Sequence, residues 1–98
     1  MIIVTGSILA RADSLAALLA VSLEHVRRSR TEPGCLAHAV HQDAENPLRL
    51  VFLEEWTDRT ALAAHFAVPA SREFVKTVRA LAAEAPQINI YDATPLQF

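Results

Sequence analysis

The chain has 98 residues, enough for one domain and too few for two. Nine basic side chains against eleven acidic give a formal net charge of −2, which excludes the basic footprint that nucleic acid demands. At 52% hydrophobic the chain carries slightly more apolar surface than a small domain hides, and a second copy of the chain is the simplest cover.

Cys35 is the single cysteine, so no internal disulfide forms and a reducing compartment is expected. In a strand it reads as a small buried hydrophobe. The N-terminal MIIVTGSILA has no basic flank and runs into a charged helix, so neither a signal peptide nor a membrane span is expected. A cytoplasmic protein with no membrane partner is the resulting expectation.

Residues 2–9, IIVTGSIL, are apolar and β-branched and predict the first strand, with Gly6 marking a bulge or a close approach to the backbone. Asp13 or Ser14 then caps a helix. Leu15, Leu18, Leu19, Ser22, Leu23 and Val26 recur at helical spacing, with Glu24, Arg27 and Arg28 on the other side. Arg27, Arg28 and Arg30 gather at the helix end, where cations suit the dipole, and read as a solvated terminus. TEPG at 31–34 stops the helix. A second strand is predicted over 35–42, a five-residue turn over DAENP at 43–47, and a third strand over 48–56. Thr57 or Asp58 caps a short helix through Phe66. Pro69 suits the first turn of another, which places Phe74, Val78, Leu81 and Ala82 on one side until Pro86 ends it. QINIYDA, 87–93, is the fourth strand.

The order β-α-β-β-α-β, with its second helix in two pieces, predicts a split βαβ, ferredoxin-like α+β fold. Such a fold has a four-stranded antiparallel sheet with helices on one face. In the third strand Leu50, Phe52, Glu54 and Trp56 point one way, and Val51, Leu53 and Glu55 the other. Both faces are largely apolar, whereas a sheet with one wet face alternates cleanly. One face should pack on the helices and the other on the sheet of a second copy, so a homodimer is expected.

EPGC at 32–35, the D-x-x-x-P turn at 43–47, EEW at 54–56, A-L-x-x-H at 61–65 and a Pro-started helix carrying an aromatic follow one another in a fixed order. This run, residues 32–75, resembles the antibiotic biosynthesis monooxygenase domain family. The resemblance implies a dimeric ferredoxin-like α+β barrel. Members include cofactor-free oxygenases of quinols and polyketide phenols, haem-degrading oxygenases and an autoinducer isomerase, so the fold does not select a reaction. The haem-degrading members use an Asn on the first strand, a Trp on the short helix and an axial His on the last. Thr5, Gly6 and Ser7, then His65, then a histidine-free helix over 70–84 stand in those places here, so no haem is expected.

A cofactor-free oxygenation needs no metal, because an electron-rich phenolate can hand an electron to dioxygen itself. The pocket has to bind a flat aromatic, take its proton and keep water away. His65 suits the base, since the family often has His there and imidazole titrates in the right range; it also reads as a helix-end cap. Trp56 matches the family's Trp and is either a pocket wall or a core anchor. Phe52 shares its face, and Phe74 approaches from the last helix. His38 and His41 differ in parity, so one faces the helices. If Gln42 pairs with Leu48, His38 lies across from Phe52 and joins the pocket as a second catalytic group. A one-residue slip would swap in His41. Tyr91 is a candidate for the pocket or for a partner subunit. Glu54 and Glu55 face opposite sides, so at least one should meet a basic or backbone partner, and Arg49 should face solvent. His38 and His41 point apart, and no Cys/His pair has zinc spacing, so no metal is expected.

The expected function is cofactor-independent monooxygenation of a quinol or polyketide-type phenol with O2. The alternatives are an isomerase or decomposition enzyme for a small carbonyl compound, and a non-catalytic small-molecule-binding or stress-associated dimeric module. No cofactor is expected, and the partner is a small aromatic or carbonyl substrate.

Overall fold

The computed structural model describes residues 1–98. The elements are β1 (Ile2–Leu9), α1 (Leu15–Ser29), β2 (Cys35–Gln42), β3 (Arg49–Trp56), α2 (Arg59–Ala67), α3 (Pro69–Leu81) and β4 (Gln87–Asp92). The strands pair antiparallel in one sheet of order β2-β3-β1-β4. This is the ferredoxin-like α+β arrangement, with α3 and β4 each slightly shorter than expected. No helix is long and apolar enough to cross a membrane.

Local chemistry explains the boundaries. Asp58 caps α2 by accepting from the Ala61 N–H at 2.8 Å, and Pro69 opens α3, where its missing N–H costs nothing. Ser14 precedes α1, but its hydroxyl accepts from the Arg11 N–H and makes no cap bond into the helix. The buried stripe of α1 is Leu18, Ser22, His25, Val26 and Ser29. Leu15 and Leu19 pack partly buried beside it, and of the positions expected to face inward only Leu23, 38% exposed, lies off the stripe.

The β2–β3 register differs from the expected one by two residues. Gln42 opposes Leu50, so Val40 lies across from Phe52, and His38 lies across from Glu54. The turn is the cause. Asp43 and Asn46 side chains accept from the Glu45 and Leu48 N–H groups, and the Arg49 N–H donates to the Asn46 carbonyl. The turn thus runs through Leu48, and β3 begins at Arg49. A shift of two keeps the parity. His38 therefore still faces the helices, and His41 is exposed on the opposite side, paired with Val51. At the other end of β2 the register shifts between Cys35 and Ala37, and Leu36 is the extra residue of a bulge.

Gly34 explains the EPG turn. Its φ is +82°, and a Cβ there would lie 2.5 Å from the Ala61 Cβ and 2.7 Å from Thr57 Oγ1. Only glycine lets the turn press this closely on the start of α2. β1 pairs without interruption on both sides, so Gly6 marks no bulge.

Two apolar clusters fill the space between sheet and helices. One joins Ile8, Leu18, Leu50, Phe52 and Val78; the other joins Ile2, Val4, Trp56 and Leu62. Along the inward face of β3, Glu54 stands between Phe52 and Trp56, so a polar group sits between the clusters. On the opposite face, Val51 and Leu53 are 38% and 46% exposed, and every residue of β4 is exposed.

Candidate functional site

Three imidazoles and a carboxylate meet where the two clusters part. His25 comes from α1, His38 from β2, His65 from α2 and Glu54 from β3, and all four are buried. Each is placed by a local rule: helical stripe for His25, strand parity for His38 and Glu54, and the inward side of a capped short helix for His65. The ring centroids lie 5.2 Å apart for His25–His65, 5.3 Å for His25–His38 and 5.6 Å for His38–His65.

Their partners differ in polarity. Glu32, from the EPG turn, has Oε1 2.7 Å from His65 Nδ1. A carboxylate accepts, so His65 donates from Nδ1, and the neutral ring keeps its lone pair on Nε2. Arg28 does the reverse: its Nη2 donates to His25 Nδ1 at 2.8 Å and to Ser71 Oγ at 3.2 Å. Guanidinium only donates, so the hydrogen of neutral His25 sits on Nε2. Arg30 donates through Nε to the His38 backbone carbonyl at 2.8 Å. Of the three arginines expected to be a solvated terminus, two therefore hold the site together.

Glu54 Oε1 accepts from the Trp56 indole at 3.0 Å and lies 3.2 Å from His38 Nε2. The second approach is short but misaligned, an electrostatic contact and not a formed hydrogen bond, since both His38 ring nitrogens lack a hydrogen-bond partner. Leaving a buried polar group unpaired costs about 1–3 kcal/mol. Burial works to raise the Glu54 pKa. His38 beside it, the indole bond and the charge of His65 outweigh burial and hold it below the usual carboxylate range. Glu54 thus has the partner expected of one of the two glutamates. Arg49 is only partly solvent-facing, since its guanidinium donates to Ser7 Oγ at 2.9 Å and to Glu84 at 3.3 Å. Burial, then the negative charges of Glu54 and Glu32, push the Cys35 thiol up, so it is no thiolate nucleophile.

His25 is pushed down to about 3, first by burial, then by the positive charge of His38, His65 and Arg28. Between that value and 6.5 the unfolded chain binds a proton that the folded chain rejects. Stability therefore falls as pH drops through this window, by up to about 1.4 kcal/mol per pH unit. Glu54 adds to the loss lower down: with a depressed folded pKa, its contribution is full above about 4.5 and disappears as pH falls through the folded value. Thermal melts from pH 7 to pH 4 should show a falling Tm, and His25→Phe should flatten that fall. A slope unaltered in the variant would contradict this assignment.

One ring nitrogen from each of His25, His38 and His65 lies within 4.8 Å of the others, a spacing that invites a metal ion. Coordination needs a lone pair facing the metal and a hydrogen on the other nitrogen of each ring. With Arg28 on Nδ1, His25 offers an N–H from Nε2 instead. The donor set as arranged does not fit a three-histidine metal site.

The histidines border a cleft with two adjoining compartments of about 170 and 320 Å³. His25, Glu54, Phe74, Val75 and Ile88 line both; Phe52 and Gly6 add to the first, and His65 and Ser71 to the second. His25 stacks on Phe74 at 4.0 Å with the rings 9° from parallel. The site thus joins His65, Phe52 and Phe74, as the sequence suggested. Trp56 and His38 line neither compartment. Trp56 is fully buried behind His65, with ring centroids 4.6 Å apart, and His38 is 2% exposed against Glu54. Tyr91 pairs with Ile3 and lies on the other face of the sheet. His25 was not foreseen. Its signal was present, since it falls three residues after Ser22 and seven after Leu18 on the buried stripe of α1.

A profile described as antibiotic biosynthesis monooxygenase matches residues 1–77. An uncharacterized protein of Synechocystis sp., sll1783, is 33% identical over 96 residues. That match takes in 98% of this chain but 65% of the relative, so the chain spans about two thirds of that protein's length. Among solved structures, a crystal structure of an antibiotic biosynthesis monooxygenase is 30% identical, with a TM-score of 0.89 over 97% of this chain and 100% of its own. A Deinococcus radiodurans protein, described as a candidate of the same kind, is 25% identical with a TM-score of 0.94, over 100% of this chain and 97% of its own. A profile match over residues 1–77 of 98 shows that the chain belongs to the antibiotic biosynthesis monooxygenase family.

Proposed function

We propose that the cleft binds a small aromatic substrate and that the protein is a cofactor-independent monooxygenase of quinols or related phenols. The observation that carries this reading is the His65–Glu32 pair, 2.7 Å apart, with His65 lining a cleft that Phe52 and Phe74 wall. Family membership supports the same role. His65 Nε2 takes the phenolic proton, and Glu32 faces the imidazolium that results. Phe52 and Phe74 hold the ring and exclude water. The electrons come from the substrate. A hydroquinone and O2 give a hydroxyquinone and water, one oxygen atom going to each, so no metal or flavin is required. The test is oxygen uptake with hydroquinones and polycyclic phenols, wild type against His65→Gln. Uptake equal in both would rule out the base, and uptake that needs added flavin or metal would rule out the cofactor-free reaction.

The exposed Val51, Leu53 and Tyr91 on the open sheet face support a homodimer joined through that face. A stable interface of this kind buries about 1,200–2,000 Å² in total. Leu53→Asp places a charge in it and should convert dimer to monomer in sedimentation velocity. A folded wild-type monomer at micromolar concentration would contradict the assembly.

A further inference from the structure

We propose that His38, His65 and Glu54 form a binding site for one divalent transition ion of the Zn2+ class, with a coordination position left open towards the second compartment. The site itself is independent of the oxygenase reading, which uses His65 only as a base. Glu54 takes the place that His25 cannot fill while Arg28 donates to its Nδ1. Two imidazoles and one carboxylate are a donor set suited to such ions.

The His38 side chain is fully buried, and neither of its ring nitrogens has a hydrogen-bond partner. An ion on Nε2 supplies the partner missing there. Glu54 Oε1 lies 3.2 Å from that nitrogen without forming a hydrogen bond to it. Two ligands of one tetrahedral ion, each ~2.0–2.1 Å from the metal, stand about 3.3 Å apart, so the pair already has the spacing of two ligands. Glu32 accepts from His65 Nδ1 at 2.7 Å and leaves the Nε2 lone pair of the neutral ring free for an ion. A carboxylate on the far nitrogen is the usual outer partner of a ligating imidazole. The Trp56 indole orients Glu54 in a similar way, donating to it at 3.0 Å. One nitrogen of His65 lies within 4.8 Å of one on His38, so closing round an ion asks for a movement of at most about 1.5 Å. His65 and Glu54 line the second compartment, of about 320 Å³, and the ion is reached from there. His25 lines it too, and its Nε2 hydrogen is a donor for water or an anion in the open position. A coordinated His65 has no lone pair for a phenolic proton, so bound ion and base reaction exclude each other. This consequence, unlike the site, rests on the base role of His65.

The test is equilibrium dialysis of the chelator-stripped full chain against Zn2+ and against Co2+, with elemental analysis. Wild type should bind one equivalent of Zn2+, and its Tm should rise with Zn2+ concentration. Bound Co2+ should show the intense visible bands of a low-coordinate site. Glu32→Gln removes an outer partner and should lower affinity by roughly 10–100-fold. His38→Gln, His65→Gln and Glu54→Gln each remove a ligand and should lower it further. His25→Phe should keep the equivalent, which separates this donor set from a three-histidine one. Circular dichroism identifies the variants that fold, and any folded ligand variant decides. No stoichiometric binding by wild type overturns the proposal. So does binding unaltered in folded His38→Gln or Glu54→Gln, binding lost in folded His25→Phe, or binding lost in His41→Ala, which would place the ion on the opposite face. On an active quinol, saturating Zn2+ should abolish oxygen uptake, and uptake that survives saturation overturns His65 as a ligand. Dialysis reads the site even when no quinol drives uptake, so failure of the oxygenase reading and failure of the site are distinct results.

Discussion

Trp56→Ala is expected to cost about 3–5 kcal/mol, the usual price of emptying a buried aromatic site. The indole is fully buried between Ile2, Val4 and Leu62, and it is the hydrogen-bond donor to Glu54 at 3.0 Å. Its removal opens a cavity and leaves a buried carboxylate with only the misaligned His38 beside it. Small domains have about 5–15 kcal/mol in total, so the loss takes a large share of the stability. Urea unfolding measures this directly. Trp56→Phe keeps most of the volume but loses the N–H and part of the fused ring, so it should fall between wild type and alanine. A loss within about 1 kcal/mol for Trp56→Ala would show that the second cluster does not anchor the fold.

His65→Gln is expected to lower turnover by roughly 10²–10⁴-fold, the range for loss of a general base. A histidine at an exposed helix end would be cheap to replace, but this one is 3% exposed and paired with Glu32. Alanine would leave the Glu32 carboxylate without its donor, at about 1–3 kcal/mol. Glutamine keeps an N–H for Glu32 while removing the base, so it separates stability from chemistry. Rates on one active substrate, read well below each melting temperature, make the comparison. Full activity in a folded His65→Gln protein would reduce the imidazole to a structural link between α2 and the EPG turn.

The fold was legible because its signals are local and repetitive. Period two in β3, a proline opening α3, Asp58 before α2 and glycine after proline at 33–34 each act within a few residues. The family run from EPGC to the Pro-started helix proves to be one physical unit. Gly34 lets the turn approach Ala61, Glu32 from the same turn orients His65, and Glu54 and Trp56 of EEW hydrogen-bond to each other.

The site was legible only where parity or motif decided it. His65, Phe52 and Phe74 reach the cleft. His38 has the right face but the wrong depth, because strand parity says which way a side chain points and not what stands in front of it. Trp56 illustrates the same limit. His25 and Arg28 depend on how α1 rotates on the sheet, a tertiary choice made by Leu18, Ser22 and Val26 packing together. Charge at a helix end looks solvated in one dimension, and in three dimensions Arg28 turns inward to His25 and Ser71.

The central claim is that His25 and His65 border the cleft with opposite partners on Nδ1, a guanidinium that donates to one and a carboxylate that accepts from the other. Long-range ¹⁵N–¹H NMR of the histidine rings, on uniformly ¹⁵N-labelled protein at pH 7, reads each tautomer from its nitrogen shifts and coupling pattern. The account predicts neutral His25 with its hydrogen on Nε2 and His65 with a hydrogen on Nδ1, the first reverting towards a mixture in Arg28→Met and the second in Glu32→Gln. A charged His25 at pH 7, or both rings in the same tautomer, would contradict it.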